Sequence, residues 1–204
     1  MKRIVICCVV LIALSTCTQA QVRFGIQGNL TNLNAGEQVS EIYGFGYGGG
    51  VHFDVSLPVI SFRLSGDYVR FSPDQDKYRA LAAKFIPSSQ ASQITVEGGL
   101  IEIFSGNLNL NVSVLPLPII HVYVTGGGGF VNLRVSQTNV KFNGAPVTSV
   151  PSQENQTKPA VNVGAGVEIK LGGMTLFGEL KINWIMTEGT TSTEIPLGTV
   201  GLTF

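Results

Sequence analysis

Apolar and polar residues alternate along most of the chain with a period of two, which is the period of a β-strand and not of a helix. In residues 174–186 every second position from Met174 to Met186 is apolar or glycine, and the positions between them include Glu179 and Lys181. The pattern recurs at 22–30, 43–55, 60–68, 104–114, 119–135 and 161–171, and residues 195–204 complete a set of eight predicted strands.

Short and long connections alternate between these strands. Pro and Gly residues predict tight turns at 56–58, 115–118 and 172–173, whereas 31–42, 73–97, 136–158 and 187–194 are longer and polar. Outer-membrane barrels have short periplasmic turns and long extracellular loops. We therefore predict an all-β chain that forms an eight-stranded antiparallel up-and-down transmembrane β-barrel.

A soluble barrel shares the same strand period. The alternative left open is a soluble periplasmic eight-stranded barrel that binds an apolar small molecule. In that alternative Leu180 and Ile182 point inward, whereas in the membrane barrel they point into lipid and Glu179 and Lys181 face the interior.

The first 20 residues have the pattern of a secretory signal. Lys2 and Arg3 precede an apolar run, 4–14, and small residues at Thr18 and Ala20 predict cleavage after Ala20. We expect a cleaved signal peptide at 1–20 and an outer-membrane β-barrel domain at 21–204. Cleavage before Cys17 with lipid attachment is the alternative for this segment.

Removal of this segment changes both thiol content and charge. Cys7, Cys8 and Cys17 all lie within it, so the mature chain would have no disulfide and no cysteine-ligated metal. Loss of Lys2 and Arg3 from 13 basic residues leaves 11 against 13 acidic ones, a net charge of −2. Without a long basic run, we expect no nucleic-acid partner.

The polar faces of the strands supply the candidate site. Eight strands leave an interior just wide enough for side chains, and buried charges persist only when they are paired. We therefore predict a filled lumen with a network of paired charges and no cofactor, a proton or ion path being the alternative. The predicted luminal charges are Arg23, Asp54, Arg63, Asp67, Glu168, Lys170, Glu179 and Lys181.

The glycines of residues 44–50 and the two histidines are the candidates for other chemistry. Gly44, Gly46, Gly48 and Gly50 share the inward face of their strand, where we expect them to leave room for long arginine and lysine side chains. The segment GFGYGGG at 44–50 precedes neither a helix nor a GK[ST] motif, so it is not a phosphate-binding loop. His52 and His121 both lie near short turns with no nucleophile placed beside them by spacing. We expect no catalytic site and no metal site.

Three local features are predicted outside the regular strands. Ser72 as N-cap, Pro73 and Gln75 predict a short helix with Tyr78, Leu81, Ala82 and Phe85 on one face. Residues 94–103 and 131–142 should pair as a ribbon above the outer surface, with Ile101, Ile103, Val131 and Leu133 near its base. The apolar positions change parity around glycines 126–129, which predicts a bulge there.

On these features the chain resembles the small eight-stranded outer-membrane barrels of the OmpA and OmpX types. Val200, Leu202 and Phe204 look like the terminal strand that the barrel assembly machinery recognises, although Pro196 and Gly198 depart from the usual pattern. The resemblance implies the barrel fold and a location in outer-membrane lipid. We further expect a monomer with a non-enzymatic structural role, or with adhesion and ligand contact through loops 73–97 and 136–158.

Overall fold

A computed structural model describes residues 21–32, 42–57, 59–84, 90, 93–151, 153–186 and 193–204. In chain order the elements are β1 (Gln21–Asn32), β2 (Phe45–Ser56), β3 (Ile60–Phe71), α1 (Gln75–Ala82), β4 (Ile94–Gly98), β5 (Ile101–Pro116), β6 (Ile120–Val135), β7 (Thr138–Phe142), β8 (Ala145–Val150), β9 (Gln153–Leu171), β10 (Met174–Ile185) and β11 (Thr193–Thr203). No helix within this description has the length and apolar character of a membrane span.

Eight strands close into an antiparallel barrel in the order β1-β2-β3-β5-β6-β9-β10-β11. The ladder between β1 and β11, which runs from Gly25↔Thr203 to Thr31↔Leu197, closes the barrel. The predicted fold class is therefore confirmed. Residues 1–20 lie outside the described residues, so the signal peptide and its cleavage site remain predictions.

The two ends of the barrel differ in their connections. At one end, here called the short-turn end, residues 57–59, 117–119 and 172–173 join β2 to β3, β5 to β6 and β9 to β10. Gly172 has a φ of +68°, a conformation that glycine adopts without steric cost. At the opposite end, here called the long-loop end, β1 is joined to β2, β3 to β5, β6 to β9 and β10 to β11.

The outside of the barrel is apolar, and over much of its length the inside is polar, the reverse of a water-soluble barrel. Leu180 and Val22 are 74% and 73% exposed, whereas Asp54 and Arg63 are buried. Water would penalise so large a continuous apolar surface, while the hydrocarbon core of a bilayer accepts it. Leu180 points outward, opposite to the orientation that the soluble-barrel alternative requires.

A second sheet stands beyond the barrel at the long-loop end. β4 pairs with β7, from Ile94↔Phe142 to Gly98↔Thr138, and β7 pairs with β8. The prediction that 94–103 and 131–142 pair with each other is confirmed, since Ile101 also pairs with Val135 in the barrel. The third strand, β8, lies within 136–158, which the sequence pattern predicts as a polar loop. We call β4, β7 and β8 the external sheet.

The predicted bulge at glycines 126–129 is wrong. β6 pairs without a break across these residues with both neighbours, and its irregularities lie opposite Ser113/Leu115 and at Leu133/Val135. Thr125 and Val131 both face inward on the same parity. The apolar set changes parity because the barrel interior turns from polar to apolar along its axis, while the strand remains regular.

The predicted helix forms, but Ser72 is not its N-cap. Asp74 caps α1, and its side chain accepts hydrogen bonds from the backbone N–H groups of Asp76 (3.0 Å) and Lys77 (3.3 Å). Pro73 forms an extended bridge with Tyr43, so the chain is not yet helical there. The predicted face cannot be followed to its end, since Phe85 lies outside the described residues.

Leu180→Arg tests the lipid-facing assignment. A cation near the midplane of the lipid face should lower the free energy of unfolding by about 2 to 4 kcal/mol. Urea titration of protein refolded into phosphatidylcholine vesicles measures the change, with Leu180→Ala as the matched uncharged control. Equal stability of the arginine and alanine variants would contradict a lipid-facing position.

Candidate functional site: the barrel lumen

An apolar cluster closes the lumen at the long-loop end. It forms where inward positions of the barrel strands are aliphatic or aromatic, and Phe71 within it is completely buried. The cluster, here called the apolar plug, consists of Val69, Phe71, Ile101, Ile103, Val131, Ala160, Ile185, Ile195 and Leu197.

Tyr43 and the part of β6 at the long-loop end pack against the apolar plug. The Tyr43 hydroxyl donates a 2.6 Å hydrogen bond to the carbonyl oxygen of Gly99, and burial raises the pKa of this phenol. Leu133 and Val135 are partly buried against the same cluster. The residues predicted for the base of the ribbon therefore seal the barrel mouth.

Below the plug, Arg63 occupies the centre of a buried charge cluster. Its Nε and Nη2 each donate a 2.8 Å hydrogen bond to Asp54, one to each carboxylate oxygen. Nη2 also lies 3.4 Å from Glu168 Oε1, and Nη1 lies 3.5 Å from Glu179 Oε2. One guanidinium thus contacts carboxylates from three strands, as a planar donor fork allows.

Lys181 and two aromatic residues complete this cluster. The Lys181 ammonium lies 2.8 Å from Glu179 Oε1, and the Tyr123 hydroxyl donates a 2.7 Å hydrogen bond to Glu179 Oε2. The Phe177 ring centroid is 4.5 Å from Arg63 Cζ, within range of a cation–π interaction. We call Asp54, Arg63, Glu168, Glu179 and Lys181, with Tyr123, the luminal charge cluster.

A second set of hydrogen-bonded side chains links Asp67 to His52. Asp67 accepts hydrogen bonds from the side-chain amides of Gln27 and Asn29. Because the Gln27 amide nitrogen donates to Asp67, its oxygen must accept from His52 Nδ1, at 2.9 Å. His52 Nε2 then accepts from the Thr203 hydroxyl, at 3.0 Å. Both ring nitrogens are engaged, so His52 serves the packing of the lumen.

The predicted luminal charges separate into three environments. Five of them form the luminal charge cluster, and Asp67 is buried among amides. Arg23 is half-buried at the short-turn end, where it donates to Thr175 Oγ1 (3.2 Å) and Ser56 Oγ (2.9 Å). Lys170 is exposed at the same end. The structure therefore does not join all eight residues in one balanced network.

Sequence reasoning about charges missed Tyr123, Phe177, Gln27 and Asn29. All four occupy the polar parity of their strands, so the two-residue period could have placed them in the lumen. The pattern could not have shown their hydrogen bonds, since Gln27 and Asp67 lie on different strands and meet only across the interior.

The inward glycines of β2 make room for other groups than expected. A Cβ added at Gly46 would come within 2.5 Å of the Phe71 ring, and one added at Gly50 would meet the Asp67 carboxylate and the Gly66 carbonyl. The space therefore accommodates a plug residue and a buried carboxylate, not long arginine or lysine side chains. In the part of the chain that is described, no cluster of three or more His, Cys, Asp or Glu residues could hold a metal ion.

No protein-family model and no curated protein sequence matches this chain. Among solved structures it is similar to a major outer membrane protein from Thermus thermophilus, with 11% identity over 90% of this chain and 99% of that chain, at a TM-score of 0.53. It is also similar to Neisserial surface protein A (12% identity, 89% and 94% covered, TM-score 0.49) and to the N-terminal β-barrel domain of Pseudomonas aeruginosa OprF (14%, 91% and 100%, 0.48). At 11% identity the likeness to the Thermus thermophilus protein shows the fold alone.

Arg63→Met tests the luminal charge cluster. Asp54, Glu168 and Glu179 would lose their shared cation inside the lumen, so we expect a loss of about 3 to 5 kcal/mol in the free energy of unfolding. Urea unfolding in vesicles measures the loss. Arg70→Met, an outward exposed change on the same strand, is the control and should stay within about 0.5 kcal/mol. Similar losses in the two variants would show that the buried pairing is unimportant.

Proposed function

We propose that this eight-stranded barrel of the bacterial outer membrane is a non-enzymatic structural protein that makes adhesive or ligand contacts through the external sheet and α1. The proposal rests on the contrast between the barrel lumen and the external sheet. The lumen is filled by the luminal charge cluster and closed by the apolar plug, whereas a second sheet is built beyond the barrel.

The filled lumen supports a role other than steady transport. A conducting path would need a continuous polar route, and the plug interrupts it with side chains such as Phe71 and Ile103, both buried. Below the plug, charged groups contact each other directly, as in the Arg63 and Asp54 pair. The interior therefore supplies stability and leaves the external surface for contact.

The external sheet has one covered edge and one outer strand. The Gln75 side chain accepts a 3.0 Å hydrogen bond from the Val96 N–H and donates to the Val96 carbonyl, as a neighbouring strand would. Arg79 Nε donates a 3.1 Å hydrogen bond to the Ile94 carbonyl. α1 thus occupies the β4 edge, and β8 is the strand at the opposite edge.

The exposed edge of a small sheet favours recognition by strand addition. Backbone groups on an edge strand can pair with an extended segment of a partner, while side chains on alternate positions select it. β8 lies in the loop region 136–158 predicted for contact, and α1 with β4 lies in 73–97. The exposed pair of Lys141 and Glu97, 2.6 Å apart, links β7 to β4 across the sheet.

The C-terminal strand supports recognition by the barrel assembly machinery. Val200 and Phe204 are exposed on the outer face of β11, and Leu202 lies between them on the same face. These are the alternate apolar positions and the final aromatic that the resemblance implies. Since β11 pairs within one chain with both β1 and β10, we expect the barrel to be a monomer.

Planar-bilayer recording tests the closed lumen. The purified monomer should show little or no steady conductance, because the apolar plug blocks the long-loop end. Heat-modifiable migration on a gel and a β-type circular dichroism spectrum verify that the inserted protein is folded. Stable nanosiemens-scale openings by the folded monomer would overturn this part of the proposal.

Replacement of 138–150 by a Gly-Ser linker tests the contact role, because it removes β7 and β8 and leaves every barrel strand intact. Vesicles that carry the full chain should bind at least one member of a panel of immobilised extracellular-matrix proteins and polysaccharides, and the linker variant should bind it at least tenfold more weakly. Replacement of 187–192 by a linker is the control. Equal binding by the full chain and the 138–150 variant would refute a contact role for the external sheet.

A further inference from the structure

The lumen opens at the short-turn end into a cavity of about 260 Å³, here called the vestibule. Inward-facing residues at the ends of β1, β2, β3, β5, β6 and β9 form most of its wall. At about 30 Å³ of liquid volume per water, it can hold a small solute together with several waters. The polar groups that matter here are Arg23, Asn111, Ser113, His121, Glu168 and Lys170.

Two cations in the vestibule are not paired with a carboxylate in the described part of the chain. Arg23 donates only to the hydroxyls of Thr175 and Ser56, and its Nε has no hydrogen-bond partner. Lys170 is exposed on the wall and makes no ion pair. Glu168 is the acidic residue on the wall, and its carboxylate already contacts Arg63 at 3.4 Å.

Neutral donors without partners lie beside these cations. Asn111 is 3% exposed, and neither its amide nitrogen nor its amide oxygen has a hydrogen-bond partner. The Ser113 hydroxyl, on the same inward face of β5, is also buried and unpartnered. Buried polar groups normally have partners, since leaving one unsatisfied costs free energy. The vestibule wall therefore presents unused donors together with excess positive charge.

We propose that the vestibule is a binding site for a phosphate group, either of a soluble phosphate ester or of a lipid headgroup. The Arg23 guanidinium and the Lys170 ammonium neutralise the two negative charges of the phosphate, and the Asn111 amide and Ser113 hydroxyl donate to its oxygens. A phosphate monoester, soluble or at the head of a lipid, offers three non-bridging acceptor oxygens, which suits this set of donors better than a carboxylate with two. Because the apolar plug closes the other end, the phosphate binds in a dead-end site and does not cross the barrel.

Calorimetric titration of the full-length barrel in phosphatidylcholine nanodiscs tests the site. Inorganic phosphate and glycerol 3-phosphate should each bind saturably with a stoichiometry of one, and more weakly as sodium chloride is raised. Arg23→Gln with Lys170→Gln should weaken binding at least tenfold. Arg70→Gln with Arg134→Gln, two exposed arginines on the outer face, removes the same charge and should leave binding unchanged.

Asn111→Leu tests the contribution of the neutral donors apart from that of the two cations. It replaces the buried amide by a side chain of similar size, so binding should weaken while the net charge stays the same. If the double variant does not fold, Lys170→Gln alone replaces it. Titration with short-chain phosphatidic acid identifies the source: competition with glycerol 3-phosphate assigns the site to both, and binding of the lipid alone assigns it to a headgroup. The proposal is overturned if none of these probes binds saturably, or if the vestibule and outer-face double variants bind with the same affinity.

Discussion

The barrel can lie in a bilayer only because its backbone hydrogen-bond ladder closes on itself. In hydrocarbon no water is present to satisfy a free N–H or C=O group, so a spanning sheet must have no edge. The pairing of β1 with β11 removes that edge and fixes the number of barrel strands at eight. Eight strands in turn fix an interior that side chains fill, and every later feature of the lumen follows from that width.

Within this width, the position along the barrel axis decides the chemistry of the interior. At mid-height the inward positions carry charges, which persist because Arg63 contacts carboxylates from three strands and Lys181 shares Glu179. Toward the long-loop end the same parity carries Phe71, Ile103 and Val131, which form an apolar core like that of a soluble protein. Toward the short-turn end the wall is polar and open.

The external sheet has edges, unlike the closed barrel. A small sheet outside the membrane has two edges, and α1 lies against one of them through the side chains of Gln75 and Arg79. This arrangement protects β4 from uncontrolled pairing while β8 remains the outer strand. The proposed contact with a partner would therefore use the edge formed by β8.

The eight barrel strands, the tight turns and the inward face of most of these strands could be predicted from the sequence alone, because the two-residue period and the turn residues are local properties. β8 could not, because it lies in a segment that the sequence pattern predicts as loop. The sequence also indicated α1, although not that Asp74 caps it, since the extended bridge at Pro73 depends on Tyr43 from another segment. The candidate residues could be assigned to the interior by parity alone.

Which of those residues meet was decided by the tertiary structure. Arg63 pairs with Asp54 on the neighbouring strand and also reaches Glu168 and Glu179, because strand register and the small barrel radius bring the three carboxylates within 3.5 Å. Among the described residues, the same closure leaves Arg23 and Lys170 at the short-turn end without a paired carboxylate. The two-residue period fixes the face of the strand on which a side chain lies. The partner that this side chain contacts depends on strand register and barrel closure, which involve strands far apart in the chain.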